Sequence, residues 1–360
     1  MGQDALAMAQ TDSSHRLHWP LSIRSGHPNW SWMSAILSHM MLVELDIVIP
    51  KTQQDDQPVM HDAPILFLVP TTWPMAYRHQ LVRIAFEDLR VPGTLVLDQA
   101  LAAVYGVGCV SGLVIDIGDE SVDVSVVVDS EVQRYACATI PLGSKDLDLW
   151  MVELAKSDIK LQTALGHPIT LEDVKEIKHS GKCRVPAHPS EHLTDTVQVY
   201  MSSIKNMVDV GPWYSRVYEP LVQPTLLSSL DKDIPGIVDT LFYLLERVDQ
   251  DNQRILWSRI VLTGKGSLLP HLDARLLWEI EQHLPQDEEA GAEGGQPALD
   301  VRVRHAPPDY FTLIADRGEL ITLLGGKICS KVVFVDAKHF ITYSDFYHPS
   351  AATPWQLKLV

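Results

Sequence analysis

The sequence predicts an α/β protein, and three features indicate this class. Short apolar runs alternate with amphipathic helical patterns between residues 65 and 110. Residues 111–130 (SGLVIDIGDESVDVSVVVDS) contain two β-branched runs on either side of a turn with Asp116, Gly118 and Asp119, which is typical of an antiparallel hairpin. The 360 residues, 46% of them hydrophobic, are enough for two or three domains or one large bilobal unit.

Before the hairpin, the pattern predicts three helices and two strands in alternation. Apolar residues at helical spacing indicate the helices, while ILFLV, closed by Pro70, indicates a buried strand. Pro92 and Gly93 end the second helix. The predicted elements are helix 29–43, strand 65–69, helix 73–90, strand 94–97 and helix 99–105.

After the hairpin, the sequence is more helical. The predicted helices cover 146–155, 171–180, 235–247 and 272–283, and the predicted strands are RIVL at 259–262 and TVQVYM at 196–201 within an irregular stretch. Residues 1–18 are polar and are predicted to be disordered. The acidic, glycine-rich segment 286–296 has no apolar anchor and is predicted to be a disordered loop.

Three glycine-containing turns follow apolar segments, namely DIGDE at 116–120, TGKGS at 263–267 and LGGK at 324–327. Glycine is needed where the backbone approaches a phosphate closely or takes a positive φ. Turns of this kind also join many hairpins that bind nothing, and TGKGS lacks the spacing of a Walker A loop. Together, the three turns indicate a nucleotide cleft.

Composition excludes several classes of function. The net charge of −17 and the lack of a basic run argue against direct binding of nucleic acid. The four cysteines form no CxxC pair, which predicts free thiols in a reducing compartment. No secretory signal or membrane-length apolar run is visible. The 15 histidines show no metal-site spacing. These observations predict a soluble intracellular protein with no metal site.

The order of segments resembles the actin-related proteins, in the actin branch of the actin/Hsp70/sugar-kinase superfamily. The resemblance covers about residues 30–348. It is carried by LDQALAAVYGVGCVSGLVIDIGD at 97–119, YEPLVQPTLL at 218–227, VDQDNQRILWSRIVLTGKGSLLP at 248–270 and LLGGKICS at 323–330. It implies an actin-like (ribonuclease H-like) bilobal fold with mixed sheets flanked by helices. The expected lobes are 19–143 (partial) and 144–306, with 307–360 returning to the first lobe.

The resemblance also implies a role for individual residues. Gln99 matches the position that orients the attacking water, and Asp116 matches the carboxylate that organises the water shell of the metal. Gly118 and Asp119 match the second phosphate loop. Gly264 matches the adenosine loop, and Lys178 matches a lysine that contacts the nucleotide.

Several departures from the family pattern argue against an enzyme. The family's first phosphate loop, a glycine turn followed by a lysine, has no counterpart, since residues 1–28 contain no lysine; the sequence resembles an N-terminally truncated member. Glu120 and Lys265 replace glycines, and His179 replaces a ribose-binding glutamate. A carboxylate about 4 Å from a phosphate costs roughly 4 kcal/mol at an effective dielectric constant near 20. We therefore expect no catalytic residues and no required cofactor, with at most weak binding of ATP and magnesium.

Within the family, the hairpin segment and EIKHSGKC at 176–183 most resemble the ninth class of fungal nuclear actin-related proteins. That resemblance implies a non-filamentous subunit of SWI/SNF- and RSC-type chromatin remodellers in the nucleus. Its expected partners are a helix of the remodeller ATPase and a second actin-related protein, with no nucleic acid or membrane. The alternatives are a cytoplasmic pointed-end actin-related subunit of dynactin, which acts in microtubule-based transport, and a weakly ATP-binding actin-like protein.

Overall fold

The computed structural model describes most of the chain between residues 20 and 348. The described residues are 20–22, 26–49, 61–188, 191, 195–227, 233–284, 299–307 and 317–348, with the backbone of 53–54 and 57–58. The predicted disorder of 1–18 and 286–296 lies outside these residues. Two compact units are present, one formed by 1–69, 73–98 and 326–360 and the other by 70–72 and 99–325.

These units divide the chain differently from the predicted lobes, since residues 99–143 and 144–306 share one unit. The predicted lobe boundaries stay a prediction. Each unit nevertheless has its own hydrophobic core, as expected of an α/β chain of this length.

The first unit is built on a three-stranded sheet with β4 (Gly93–Asp98) at its centre. This strand runs parallel to β3 (Ile65–Val69) and antiparallel to β12 (Ile341–Thr342). The first helices are α1 (Trp30–His39) and α2 (Met75–Arg83), each extended by a π-helical segment, Met40–Glu44 and Ile84–Asp88 respectively. Their apolar faces form the core, with Leu81, Val82 and Phe86 at most 1% exposed. The unit also contains α12 (Tyr343–Tyr347) and the short hairpin of β1 (Gln53–Gln54) and β2 (Gln57–Pro58).

An ion pair between Arg78 and Asp98 lies inside the first unit. Arg78 is on α2 and Asp98 ends β4, and the two side chains are only 1% and 2% exposed. A buried charge is stable only when it is paired, so this contact fixes the helix on the sheet.

The second unit contains a five-stranded mixed sheet in the order β11–β10–β5–β6–β7. β5 (Gly112–Ile117) runs parallel to β10 (Ile260–Thr263) and antiparallel to β6 (Val122–Val128). The outer strands are β7 (Glu131–Ile140) and β11 (Val303–Arg304). The predicted hairpin is therefore confirmed, and it continues into a third strand.

Helices cover this sheet, and they account for most of the remaining chain. They are α3 (Gln99–Gly106), α4 (Ser144–Ala155), α5 (Ile159–Leu165), α6 (Leu171–His179), α7 (Glu219–Val222), α8 (Ile237–Leu245), α9 (Gln250–Trp257) and α10 (Leu272–His283). A separate hairpin of β8 (Val197–Met201) and β9 (Asn206–Val210) lies against α5 and α6. The predicted strand at 196–201 is confirmed, whereas α5 and β9 were not predicted.

The predicted glycine turn at 324–327 is wrong. These residues lie inside the helix α11 (Ile321–Val333). Gly325 faces α3, where a Cβ would overlap the carbonyl oxygen of Ala102 and come within 2.9 Å of the Gly106 nitrogen. Gly106 in turn faces the backbone of Ile321. Gly106 and Gly325 therefore permit close packing of α3 and α11, and the segment 324–327 is helical rather than a turn.

Candidate functional site

The turn between β5 and β6, residues 117–121, is held by its own backbone. The Gly118 amide donates to the Ser121 carbonyl at 2.9 Å. Asp116 precedes this turn on β5, and Asp119 and Glu120 lie within it. Three carboxylates therefore lie within residues 116–120, where β5 ends.

Asp116 has a raised pKa because it lies in a desolvated place beside another carboxylate. Burial is the larger cause and Asp123 the smaller, and together they raise the pKa of Asp116 to about 6. Asp123 lies directly opposite it on β6. Burial also raises the pKa of Asp123, although hydrogen bonds donated by Thr139, Thr72 and Ser121 act in the opposite direction.

Gly264 is brought against the same edge. It follows β10, in which Thr263 pairs with Asp116. Its φ is +83°, and a Cβ here would overlap the Asp116 carboxylate and come within 2.5 Å of the Ile117 carbonyl oxygen. Only glycine fits this approach. The structure therefore brings Gly264 and Asp116 together, in accordance with their shared place in the predicted site.

The first residues of α4 lie on the β5–β6 turn. The Ser144 and Lys145 amides donate to the Gly118 and Asp119 carbonyls, each at 2.9 Å. Gly143 lies so close that a Cβ would come within 2.5 Å of the backbone carbonyl oxygen of Asp119. Amides at the start of a helix can bind a phosphate, but these two donate to the turn itself.

Lys145 carries the main positive charge at the turn. Its Nζ lies 3.0 Å from Asp119 Oδ2 and 2.8 Å from Glu120 Oε1. Burial would lower the pKa of Lys145, but its hydrogen bonds and charge interactions with these two carboxylates outweigh burial and raise it. The sequence analysis did not identify Lys145, because the contact joins positions 25 residues apart.

Lys178 is held near the start of α4. It lies in the last turn of α6, pairs with the Asp148 carboxylate and donates to Ser144 Oγ at 2.8 Å. Its side chain is only 9% exposed. The predicted nucleotide-contacting lysine therefore already has partners within the chain.

His179 and Lys265 interact, as expected if the two departures from the family pattern lie at one place. Burial lowers the pKa of His179, and the neighbouring charge of Lys178 lowers it further, whereas Asp148 raises it and Lys175 and Lys265 lower it by smaller amounts. Lysines therefore predominate over carboxylates around His179, in contrast to the acidic β5–β6 turn.

Gln99 is the one predicted site residue that the structure does not join to the others. It begins α3, and its side chain forms no hydrogen bond with any described residue. Over the described ranges, no group of three or more His, Cys, Asp or Glu side chains could hold a metal ion. The described helices include none that is both long enough and apolar enough to cross a membrane.

Comparison with known proteins places this chain in a family. The sequence profile named Actin matches residues 9–205. The chain belongs to the actin family, and the predicted actin-like α/β fold is confirmed.

Its relatives include several actin-related proteins. Actin-related protein 7 of Arabidopsis thaliana is 27% identical over 285 residues, covering 78% of this chain and 72% of the relative. Actin-related protein 2 of Arabidopsis thaliana is 24% identical over 323 residues, covering 88% and 76%. Actin-related protein 7 of Oryza sativa subsp. indica is 28% identical over 294 residues, covering 78% and 72%. The resemblance to actin-related proteins is thus confirmed, while the ninth class stays a prediction.

Proposed function

We propose that this chain is a non-filamentous structural subunit of a chromatin-remodelling complex of the SWI/SNF or RSC type. In this role it works in the nucleus, where it binds a helical segment of the remodeller ATPase and a second actin-related protein. The observation that carries the proposal is the internal pairing of both lysines at the site. Lys145 holds Asp119 and Glu120, and Lys178 holds Asp148.

The residues of the β5–β6 turn fit bound Mg-ATP poorly, which supports a structural rather than an enzymatic role. A triphosphate would meet the carboxylates of Asp119 and Glu120, with one ammonium shared between them. An unpaired carboxylate about 4 Å from a phosphate would cost roughly 4 kcal/mol. Lys145 offsets part of that cost, but the same ammonium is then less available to the phosphate.

The charge of the whole chain supports the choice of partner. A net charge of −17 favours association with a basic helix and opposes association with DNA. The similarity to actin-related proteins supports a role separate from conventional actin. The choice of remodeller rests on the motifs that resemble the ninth class.

Affinity purification followed by mass spectrometry tests this proposal. The full chain, tagged at its own locus, is expected to recover a remodeller ATPase and a second actin-related protein in near-equal amounts. Conventional actin, tagged and purified in parallel, controls for proteins that bind any actin fold. Recovery of dynactin subunits would contradict the proposal and favour the cytoplasmic alternative, and recovery of neither complex would reject both.

A reconstitution makes the test more specific. The chain and the second actin-related protein are co-expressed with the helical segment of the recovered ATPase, and complex formation is measured by size-exclusion chromatography. We expect a ternary complex that is lost when the basic residues of that helix are replaced by glutamate. A complex that survives this change would contradict the proposed charge complementarity.

A further inference from the structure

The β5–β6 turn and the start of α4 form one hydrogen-bonded unit. Two α4 amides, from Ser144 and Lys145, donate to carbonyl oxygens of the turn. Gly143 allows the backbones to approach, because any side chain there would strike Asp119 and the Glu120 nitrogen. This backbone docking places the Lys145 side chain beside the two acidic side chains of the turn.

Lys145 forms ion pairs with the Asp119 and Glu120 carboxylates at once. Its Nζ lies 3.0 Å from Asp119 and 2.8 Å from Glu120, and the Glu120 side chain is only 15% exposed. Without the ammonium, the adjacent carboxylates of Asp119 and Glu120 would lose the cation that they share. Like charges close to one another disfavour the folded state.

We propose that Lys145 is an internal counter-ion, which holds the β5–β6 turn at the position where a nucleotide-binding relative would hold a phosphate. The turn thus keeps its shape without nucleotide and rejects polyphosphates. This inference rests on the proposed function only in requiring weak nucleotide binding. It does not depend on the identity of any partner.

A second lysine offers a matched control. Lys156 lies 2.6 Å from Glu153, but both side chains are 59% exposed and both residues belong to the end of the same helix. Exposed pairs of this kind contribute little to stability. Lys145 differs because it joins two elements and faces a shielded carboxylate.

A double-mutant cycle tests the counter-ion role. Thermal unfolding of the full chain is compared for Lys145→Met, Glu120→Gln, the double variant and Lys156→Met. We expect Lys145→Met to lower Tm by about 2–4 °C and Lys156→Met by less than about 1 °C. Glu120→Gln is expected to lower Tm in the wild-type background and to have a much smaller effect in the Lys145→Met background, since the ion pair with Lys145 is already lost there. An equal effect of Glu120→Gln in both backgrounds would overturn the proposal.

Nucleotide binding provides an independent readout. With millimolar Mg-ATP, we expect no Tm shift for the wild type and a clear rise for Glu120→Gly, whose affinity should improve at least about tenfold. Circular dichroism establishes that Glu120→Gly is folded, and Glu120→Gln replaces it if it is not. A Mg-ATP shift in the wild type, or no gain in a folded Glu120 variant, would overturn the proposal. Neither result changes what affinity purification recovers, so a failure here is distinguishable from a failure of the proposed function.

Discussion

Asp116 and Asp123 lie directly opposite each other across the β5–β6 ladder, so that two carboxylates share a largely desolvated place. Like charges at facing positions of a hairpin oppose pairing of the strands. This hairpin is also the centre of the candidate site, and the repulsion between its carboxylates should make stability depend on pH.

The stability of the protein should fall as the pH rises from about 4 to about 6. Asp116 has a pKa of about 6 in the folded protein, against a reference value of 3.8. The folded state consequently binds more protons than the unfolded state within this window, and it loses stability as they dissociate. The charge of Asp123, which lies opposite, contributes to this raised pKa after burial. Urea unfolding at a series of pH values measures the slope.

Asp123→Asn should flatten that slope and stabilise the protein by about 1 kcal/mol at pH 7. The change removes the like charge while keeping an oxygen that can accept from Thr139. Asp209→Asn, on the exposed face of the β8–β9 hairpin, is the matched control and should leave the slope unchanged. An unchanged slope in Asp123→Asn would show that the Asp123 charge does not contribute to the raised pKa of Asp116.

Gly264→Ala should destabilise the second unit strongly, by about 3 kcal/mol or more. The new Cβ would overlap the Asp116 carboxylate and approach the Ile117 carbonyl oxygen, at a residue whose φ is already positive. Gly108→Ala is the control, since Gly108 has a φ of +74° but open space around it. Gly108→Ala should lower the free energy of unfolding by only about 1 kcal/mol. Equal losses in the two variants, measured by urea unfolding, would show that the close approach is unimportant.

Asp98→Ala should destabilise the first unit by about 3–5 kcal/mol, because it removes the carboxylate that pairs with buried Arg78. Glu87→Ala removes the partner of Arg83 in an exposed pair and should cost less than about 1 kcal/mol. Chemical denaturation followed by tryptophan fluorescence compares the two. A small loss in Asp98→Ala would mean that the Arg78 guanidinium finds other partners at no cost.

Hydrolysis of Mg-ATP by the purified full chain should not exceed the rate without protein. The turn is acidic, and the side chain of Gln99, the predicted water-orienting residue, forms no hydrogen bond with any described residue. Phosphate release is measured with conventional actin as the positive control. Turnover that disappears in Gln99→Ala would contradict this expectation and favour the alternative of an ATP-binding protein.

Local pattern was sufficient to predict the hairpin, most helices and the place where Asp116 meets Gly264. The alternation of apolar runs with helical patterns and the order of the family motifs both depend on elements that are neighbours along the chain. The LGGK segment was misread because a glycine pair in a turn and a glycine pair at a helix contact look the same along the chain. Only the position of Ala102 on another helix distinguishes them.

The contacts of Lys145 could not be predicted for a related reason. A lysine in the first turn of a helix is typically exposed, and the pairing of Lys145 with Glu120 depends on how α4 docks on the turn. Asp123 was overlooked because it alternates with valines as any outward-facing strand residue does. Its raised pKa comes from burial, which the alternating pattern does not report.

The close contact between α3 and α11 has a consequence for how this sequence can change over time. Gly106 and Gly325 each lie against the backbone of the other helix, and neither position has room for a methyl group. A substitution at one is not relieved by any change at the other, since both are already the smallest residue. Residues on the outer faces of the two helices can therefore change as this protein diverges from its relatives. Gly106 and Gly325, where the helices meet, are expected to stay glycine.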